Sequence, residues 1–394
     1  MKNLLRLTGL LLFTGIIMSC FEKPDLEAHI KGLGNDSIFL EYQTLSDFYE
    51  ERARRDTIYS HNNLFYYNNP YNEPIIIFIY PKRGMRGPRK VSISKYMIVL
   101  LKPGNNINIQ GELKDFCLDY DAKGSEFNEE FSQVRKSYLD KLIRHYQLAL
   151  QRDSVKANNG DKELSNKLWR EKRDIRNQIE AVQLKYIKNN WDKRLSAFLL
   201  SRQPLDTFGK YYEKLKPVVK NGIFKNVLDK RLTKFKKHEK VKEAKKKVTK
   251  GEKAPDFSLE TIKGNEFTLS SLDEKYVVLD FWGSWCSWCI KGFPKMKSYY
   301  KKYKEEVEFV GIACKDTKKE WKSAVKKHDL NWIQVYNNSE LSSNVSVKYG
   351  IEGYPTKFIL DENKKIIGKF VGESKEFYDK LDKIMKKNKA ANML

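Results

Sequence analysis

The 394-residue sequence predicts a multidomain protein: an N-terminal all-β sandwich-like domain, a helical connector and a C-terminal α/β domain. Three observations carry that prediction. Short β-branched and aromatic runs alternate with turn residues up to about residue 122. From Gly124 the apolar residues recur at three- and four-residue steps instead. After Lys250, continuous apolar runs alternate with an amphipathic one, the pattern of a βαβ unit. Hydrophobic residues make up 40% of the chain and charged residues 32%. A mean hydropathy of −0.65 excludes a multi-span membrane protein.

Residues 1–19 are set apart from the rest. Lys2 and Arg6 precede an apolar stretch over residues 7–19, too short for a bilayer core that needs ~20 residues. Ile17-Met18-Ser19-Cys20 resembles the lipobox of bacterial lipoproteins. That resemblance implies cleavage before Cys20, lipid attachment to its sulfur and export. An exported chain meets an oxidising environment, in which cysteine pairs can cycle as well as cross-link.

The first domain is expected over residues 20–123. DSIFLEYQ, NNLFYYNN, PIIIFIY, YMIVLL and NINIQGEL read as its strands, with Pro103-Gly104-Asn105-Asn106 as a turn. Strands without intervening helices suggest antiparallel pairing. His29 and His61 stand alone, with no acid or cysteine cluster around either, and a lone histidine is more often a surface or satisfied residue than a ligand. Residues 124–249 form the connector. Phe127, Phe131, Val134, Tyr138, Leu142 and Tyr146 share one helical face. Leu164, Leu168, Ile175, Ile179, Val182 and Tyr186 share another, after a break at Asn158-Asn159-Gly160. Both stripes read as core packing, and shorter helices follow at SAFLLS and GKYYEKL.

Much of the formal charge of +24 gathers at the end of this connector, where residues 231–250 carry ten Lys/Arg against two Glu. A single aromatic, Phe235, lies among them, so the interleaved stacking residues of a nucleic-acid surface are missing. A solvated helix is the expected use, ahead of attraction to anionic lipid.

In residues 250–394, APDFSLETIKGNEFTLSSL contains two strand-like runs around Lys263-Gly264-Asn265. YVVLDF and EVEFVGIAC are buried strands, and IKGFPKMKSYYKKYKE is the helix returning between them. KFILDENKKIIGKFVG reads as a hairpin and ESKEFYDKLDKIMKKN as a closing helix. Cys286 and Cys289, in FWGSWCSWCIKGFP, fall at the strand-to-helix turn. Zinc needs four ligands and a lone CxxC supplies two, so no metal and no cofactor is expected. Cys117 and Cys314 are expected to pack as small hydrophobes.

APDF at 254–257, DFWGSWCSWC at 280–289 and GYPT at 353–356 resemble the thioredoxin-fold domain of the TlpA/ResA branch. The upstream region is more loosely similar to the N-terminal halves of TlpA-like lipoproteins. The resemblance implies a protein-disulfide reductase. A cysteine in the first helical turn feels unsatisfied N–H groups and the positive end of the dipole, which favour its thiolate. Cys286 is therefore expected to be exposed and nucleophilic, with Cys289 buried one turn on to resolve the mixed disulfide. The resemblance assigns Pro355 as a cis-proline facing the cysteines and Asp280 as a buried acid for the Cys289 proton. It places Trp285 and Tyr354 beside the substrate. Gly292 stands where many relatives carry an acid. Ser287 and Trp288, between the cysteines, add no positive charge. A potential toward the reducing end of the roughly −120 to −270 mV span is expected.

The implied partners are disulfide-bonded envelope proteins, apocytochrome c among them, and a membrane thiol-electron donor of DsbD type, with no nucleic acid. The implied location is the envelope of a Gram-negative-type bacterium, lipid-anchored and facing the periplasm. Two other readings compete. In a thiol peroxidase of the AhpC/TSA type the cysteine sits in a Pro-x-x-x-Thr-x-x-Cys setting with a remote arginine. Gly283 occupies the threonine place, and no arginine follows Lys250. In a surface binding lipoprotein the strand domain would do the work, and the CxxC would have no purpose.

Overall fold

The computed structural model describes residues 23–49, 53–81, 96–113, 119–158, 160–272, 276–337 and 343–391. The expectations for Cys20 and Cys117 lie outside these residues. The chain forms two compact units, divided between Lys230 and Arg231.

Among the described residues, the first unit begins with eight strands: β1 (Leu26–Lys31), β2 (Ser37–Thr44), β3 (Arg54–Tyr59), β4 (Leu64–Tyr67), β5 (Ile75–Pro81), β6 (Met97–Leu101), β7 (Ile107–Glu112) and β8 (Tyr120–Lys123). They form two four-stranded sheets, ordered β4-β1-β7-β8 and β3-β2-β5-β6. Alternate residues of both sheets, including Ala28, Ile30, Leu40, Ile77, Val99 and Ile109, meet in one core. This is the sandwich that the alternating runs require. The turn after β6 places Gly104 at φ +74, where a side chain would be strained. One pairing departs from the antiparallel expectation: β1 and β7 run parallel, Leu26 opposite Ile107. Strands so far apart in sequence have a connection long enough for a parallel crossover. β1, β3 and β8 escaped the sequence reading. Only short or polar runs mark them, and RRDTIY of β3 has no buried residue at all.

Seven helices follow: α1 (Glu126–Lys136), α2 (Leu139–Ala157), α3 (Lys162–Asn189), α4 (Arg194–Ser201), α5 (Leu205–Tyr212), α6 (Pro217–Lys220) and α7 (Lys225–Lys247), the last running past the division. Ser125 caps α1, its side chain accepting from the Asn128 amide, and Asp161 caps α3 in the same way. The first apolar stripe is buried throughout, but it spans two helices, broken at Ser137–Tyr138, not one. The second stripe is buried only in part. Leu168 and Ile179 are covered and Leu164 is exposed, so the core reading fails at the start of α3.

The second unit contains β9 (Ser258–Thr261), β10 (Glu266–Thr268), β11 (Tyr276–Trp282), α8 (Ser287–Tyr303), β12 (Val307–Cys314), α9 (Lys318–His328), β13 (Ile333–Asn337), α10 (Val345–Lys348), β14 (Thr356–Leu360), β15 (Ile366–Val371) and α11 (Lys375–Ala391). Its seven-stranded sheet is ordered β10-β9-β13-β12-β11-β14-β15. β11, β12 and β13 run parallel, and β14 and β15 turn back antiparallel. Strand alternation divides β11 cleanly. Val277, Leu279 and Phe281 enter one core. Val278 and Trp282 enter the other, with Cys286, Cys289, Phe293 and Met296 of the α8 region and Phe377 and Tyr378 of α11. The second unit is the thioredoxin-like α/β domain, and the two sheets with their helices complete the multidomain class. No helix among the described residues is long and apolar enough to cross a membrane.

Candidate active site

The site is built where β11 ends and α8 begins. Gly283 makes the tight exit. A Cβ there would stand 2.5 Å from Trp285 Nε1 and 2.9 Å from the Cys314 carbonyl oxygen. Ser284 is tied down by Asp316, accepting from its amide at 2.9 Å and from its hydroxyl at 2.7 Å. Asp316 is buried, and desolvation raises its pKa against the lowering effect of those two bonds. Cys286 is then the N-cap of α8, its Sγ accepting from the Cys289 amide at 3.2 Å. The two sulfurs are joined as a disulfide.

One expectation is corrected here. Cys286 is not exposed: it retains 5% of its accessible surface, against 2% for Cys289. Its sulfur is drawn inward over the first helical turn, bonded to the Cys289 sulfur and facing the Cys289 amide, in the core cluster that also holds Trp282 and Phe293. What faces solvent instead is aromatic. Trp285 is 51% exposed and Trp288 63%.

Trp285 donates from Nε1 to the Cys314 carbonyl at 3.0 Å and meets the Tyr354 ring edge-on, with centroids 5.3 Å apart. Lys315 Nζ lies 5.5 Å from the Trp285 ring centroid and 5.2 Å from that of Tyr354. Each aromatic is followed directly by a residue of interest: Cys286 after Trp285, Pro355 after Tyr354. Their contact therefore brings the CxxC turn and the Pro355 loop together. The Tyr354–Pro355 peptide bond is cis. The Pro355 carbonyl accepts from the Gly372 amide at 2.7 Å, which ties this loop to the turn after β15.

The strand face of β11 that carries Val278 and Trp282 also holds a charged cluster, of which the sequence reading found one member. Asp280 sits on the Val278/Trp282 face of β11, directly opposite Lys357 of β14. Lys357 Nζ is 3.6 Å from Asp280 Oδ1, beyond hydrogen-bond reach, and 2.8 Å from Glu373 Oε2. Tyr378 donates to Glu373 Oε1 at 2.6 Å. Asp280 Oδ1 is buried without a hydrogen-bond partner. Burial, reinforced by the Glu373 charge and opposed by Lys357, raises the Asp280 pKa. Lys357, Glu373 and Tyr378 carry no signal in sequence, because their meeting depends on a hairpin and a turn far along the chain from the cysteines. The one available hint was Gly292 itself, a glycine inside a helix.

Cys314 lies fully buried in the opposite core, and desolvation pushes its thiol up to about 12. It is a packing residue, as its place at a strand end suggests. Among the described residues, no histidine, third cysteine or carboxylates gather with Cys286 and Cys289 in a metal-ligand cluster.

Residues 250–369 match the model of the AhpC/TSA family. Over 130 residues the chain is 33% identical to the thiol-disulfide oxidoreductase ResA of Bacillus cereus (strain ZK / E33L), covering 33% of this chain and 73% of that protein. It is 30% identical over 140 residues to the thioredoxin-like protein YneN of Bacillus subtilis (strain 168), covering 34% of this chain and 80% of that protein. Among solved structures, the thioredoxin domain of a thiol-disulfide oxidoreductase from Bacteroides vulgatus is 28% identical, with a TM-score of 0.33 over 35% of this chain and 98% of its own. A thiol-disulfide oxidoreductase from Bacteroides fragilis NCTC 9343 is 30% identical, with a TM-score of 0.32 over 34% and 99%.

Proposed function

The chain belongs to the ResA family of thiol-disulfide oxidoreductases, and from that premise we propose that it reduces disulfides of cell-envelope proteins through Cys286 and Cys289. The observation that carries the proposal is the Cys286–Cys289 disulfide at the N-terminus of α8, beside the loop of Pro355. In the reduced form, helix-end N–H groups and the dipole favour the Cys286 thiolate. That thiolate attacks a substrate disulfide. One sulfur–sulfur bond forms, the substrate's own breaks, and the first substrate thiolate leaves and takes a proton. Cys289, deprotonated with Asp280 as acceptor, attacks Cys286 Sγ. The Cys286–Cys289 bond closes and the second substrate thiolate leaves. Two electrons and two protons pass to the substrate, and a donor dithiol of DsbD type returns them.

Trp285 and Tyr354 form the surface on which the substrate chain rests, with Pro355 offering backbone beside it. Lipid attachment at Cys20 would hold the enzyme at a periplasm-facing membrane, among substrates that include apocytochrome c. The peroxidase reading finds no support at the site, since Gly283 fills the threonine place and no arginine follows Lys250.

Insulin reduction driven by dithiothreitol tests the activity. The intact protein should accelerate it and Cys286→Ser should not. Cys289→Ser should accumulate mixed disulfides whose captured partners identify the substrate. A Cys286 no faster in alkylation at neutral pH than free cysteine, once the disulfide is reduced, would sink the proposal.

A further inference from the structure

The turn after β15 places a carboxylate where the active-site helix lacks a side chain. Gly292 lies one turn past Cys289 on the same buried face of α8. A Cβ built on Gly292 would stand 2.3 Å from Glu373 Oε2, 2.6 Å from its Cδ and 3.0 Å from Oε1. Helical positions three apart are neighbours, with Cβ atoms ~5–6 Å apart, so this carboxylate fills the side-chain place next to Cys289 along the helix face. We infer that Glu373 tunes the proton acceptor of the resolving step, acting as the counter-ion of Lys357 so that Asp280 is left free to take the proton of Cys289. The inference rests on the dithiol reading above and adds a positioning residue to it.

Three charges share the site: two carboxylates and one ammonium. Lys357 is 3% exposed and Asp280 5%, while Glu373 is 19% exposed. The ammonium lies 2.8 Å from Glu373 and 3.6 Å from Asp280, so Glu373 is its hydrogen-bonded partner. Tyr378 holds the second Glu373 oxygen. Asp280 keeps a bare, buried oxygen on the strand face of Val278 and Trp282, whose core includes the cysteines. A carboxylate so placed binds a proton more readily than one clasped by a lysine. Remove the Glu373 charge and Lys357 turns wholly to Asp280, whose proton affinity falls. Glu373 is also the solvent-side member of the three, and the adjacent Gly372 is bonded to the Pro355 carbonyl.

The remaining groups around the cluster do not compete for this role. On α8, Lys295 Nζ stands 4.1 Å from the Tyr378 ring centroid, and Tyr299 packs on that ring at 4.6 Å while bonding Asp382. On β12, the residue opposite Asp280 is Gly311, which brings no charge. Tyr378 itself, raised by burial and by Glu373, stays protonated and serves as a donor.

The test is the pH dependence of kcat for insulin reduction. Glu373→Gln keeps the shape and the acceptor oxygen and removes only the charge. The ascending limb should move down by at least one pH unit, and the rate at pH 7 should fall about tenfold, less than the ~10²–10⁴-fold that a general acid or base contributes, because Asp280 itself stays in place. The carboxylate can also be supplied from the helix. In Gly292→Asp combined with Glu373→Ala, the oxygens lie two bonds from the Cβ at 292, where those of Glu373 already stand. This double variant should return the limb toward its original place, whereas Glu373→Ala alone should not. A Glu373→Gln profile that overlays the parent's overturns the inference, as does a displaced profile that the relocated acid leaves unchanged. Loss of insulin reduction by the parent protein, or its survival in Cys286→Ser, condemns the dithiol reading instead.

Discussion

Replacing Gly292 by alanine should destabilise the protein, although alanine is the better helix former. The new methyl group claims the place of the Glu373 carboxylate, 2.3 Å from its Oε2, and the flexible glutamate must swing out. Lys357 then loses its 2.8 Å partner and Tyr378 its 2.6 Å acceptor. Breaking a buried ion pair by removing one partner costs ~3–5 kcal/mol. The low end, about 3 kcal/mol, applies here because Lys357 keeps Asp280 as a second carboxylate. Against this, alanine gains about 1 kcal/mol over glycine in a helix interior. The net is about 2 kcal/mol of destabilisation, or about 1 M in urea midpoint at ordinary m values. Pulse labelling of Cys314 across a urea series, read by peptide mass spectrometry, follows this unit alone, since that thiol is fully buried when it is folded. In a Glu373→Ala background the same substitution should reverse sign and stabilise by about 1 kcal/mol. A Gly292→Ala protein as stable as its parent would refute the reasoning, because the carboxylate would then not depend on the missing side chain.

Asp280→Asn should flatten the pH dependence of stability in the oxidised protein. An acid whose pKa is raised above its ordinary 3.8 binds its proton more tightly folded than unfolded. Its contribution is therefore greatest below that value and declines as pH rises toward the folded pKa. A parent protein whose stability climbs with pH across that window through Asp280 would contradict this. Trp288→Ala should raise KM for insulin and leave kcat within about twofold, at a folding cost under about 0.5 kcal/mol for so exposed a residue. A fall in kcat at constant KM would place Trp288 in the chemistry instead. Cys314→Ala should leave turnover intact, and the native Cys314 thiol, held near 12, should resist alkylation at pH 8. The midpoint potential of the Cys286–Cys289 couple should fall nearer −270 than −120 mV, since Ser287 and Trp288 add no positive charge.

Sequence alone determined the features that are local along the chain. A two-residue spacing after a buried strand fixes both cysteines on one helical turn, and period-two and period-3.6 patterns separate sandwich, helices and α/β domain. Alternation puts Val278, Asp280 and Trp282 on one face of β11, and the family resemblance singled out Asp280 among them. Tertiary structure alone decided the rest, because it concerns groups distant in sequence. Lys357 faces Asp280 through antiparallel registry, and Glu373 reaches Gly292 by way of the turn after β15. No periodicity records such a meeting. The burial of Cys286 was likewise illegible: a side chain's exposure depends on what packs over it, and the residues around it come from several separate elements of the fold. A glycine's neighbours are harder still to read, since what the position lacks becomes meaningful only when another residue is found to occupy the space.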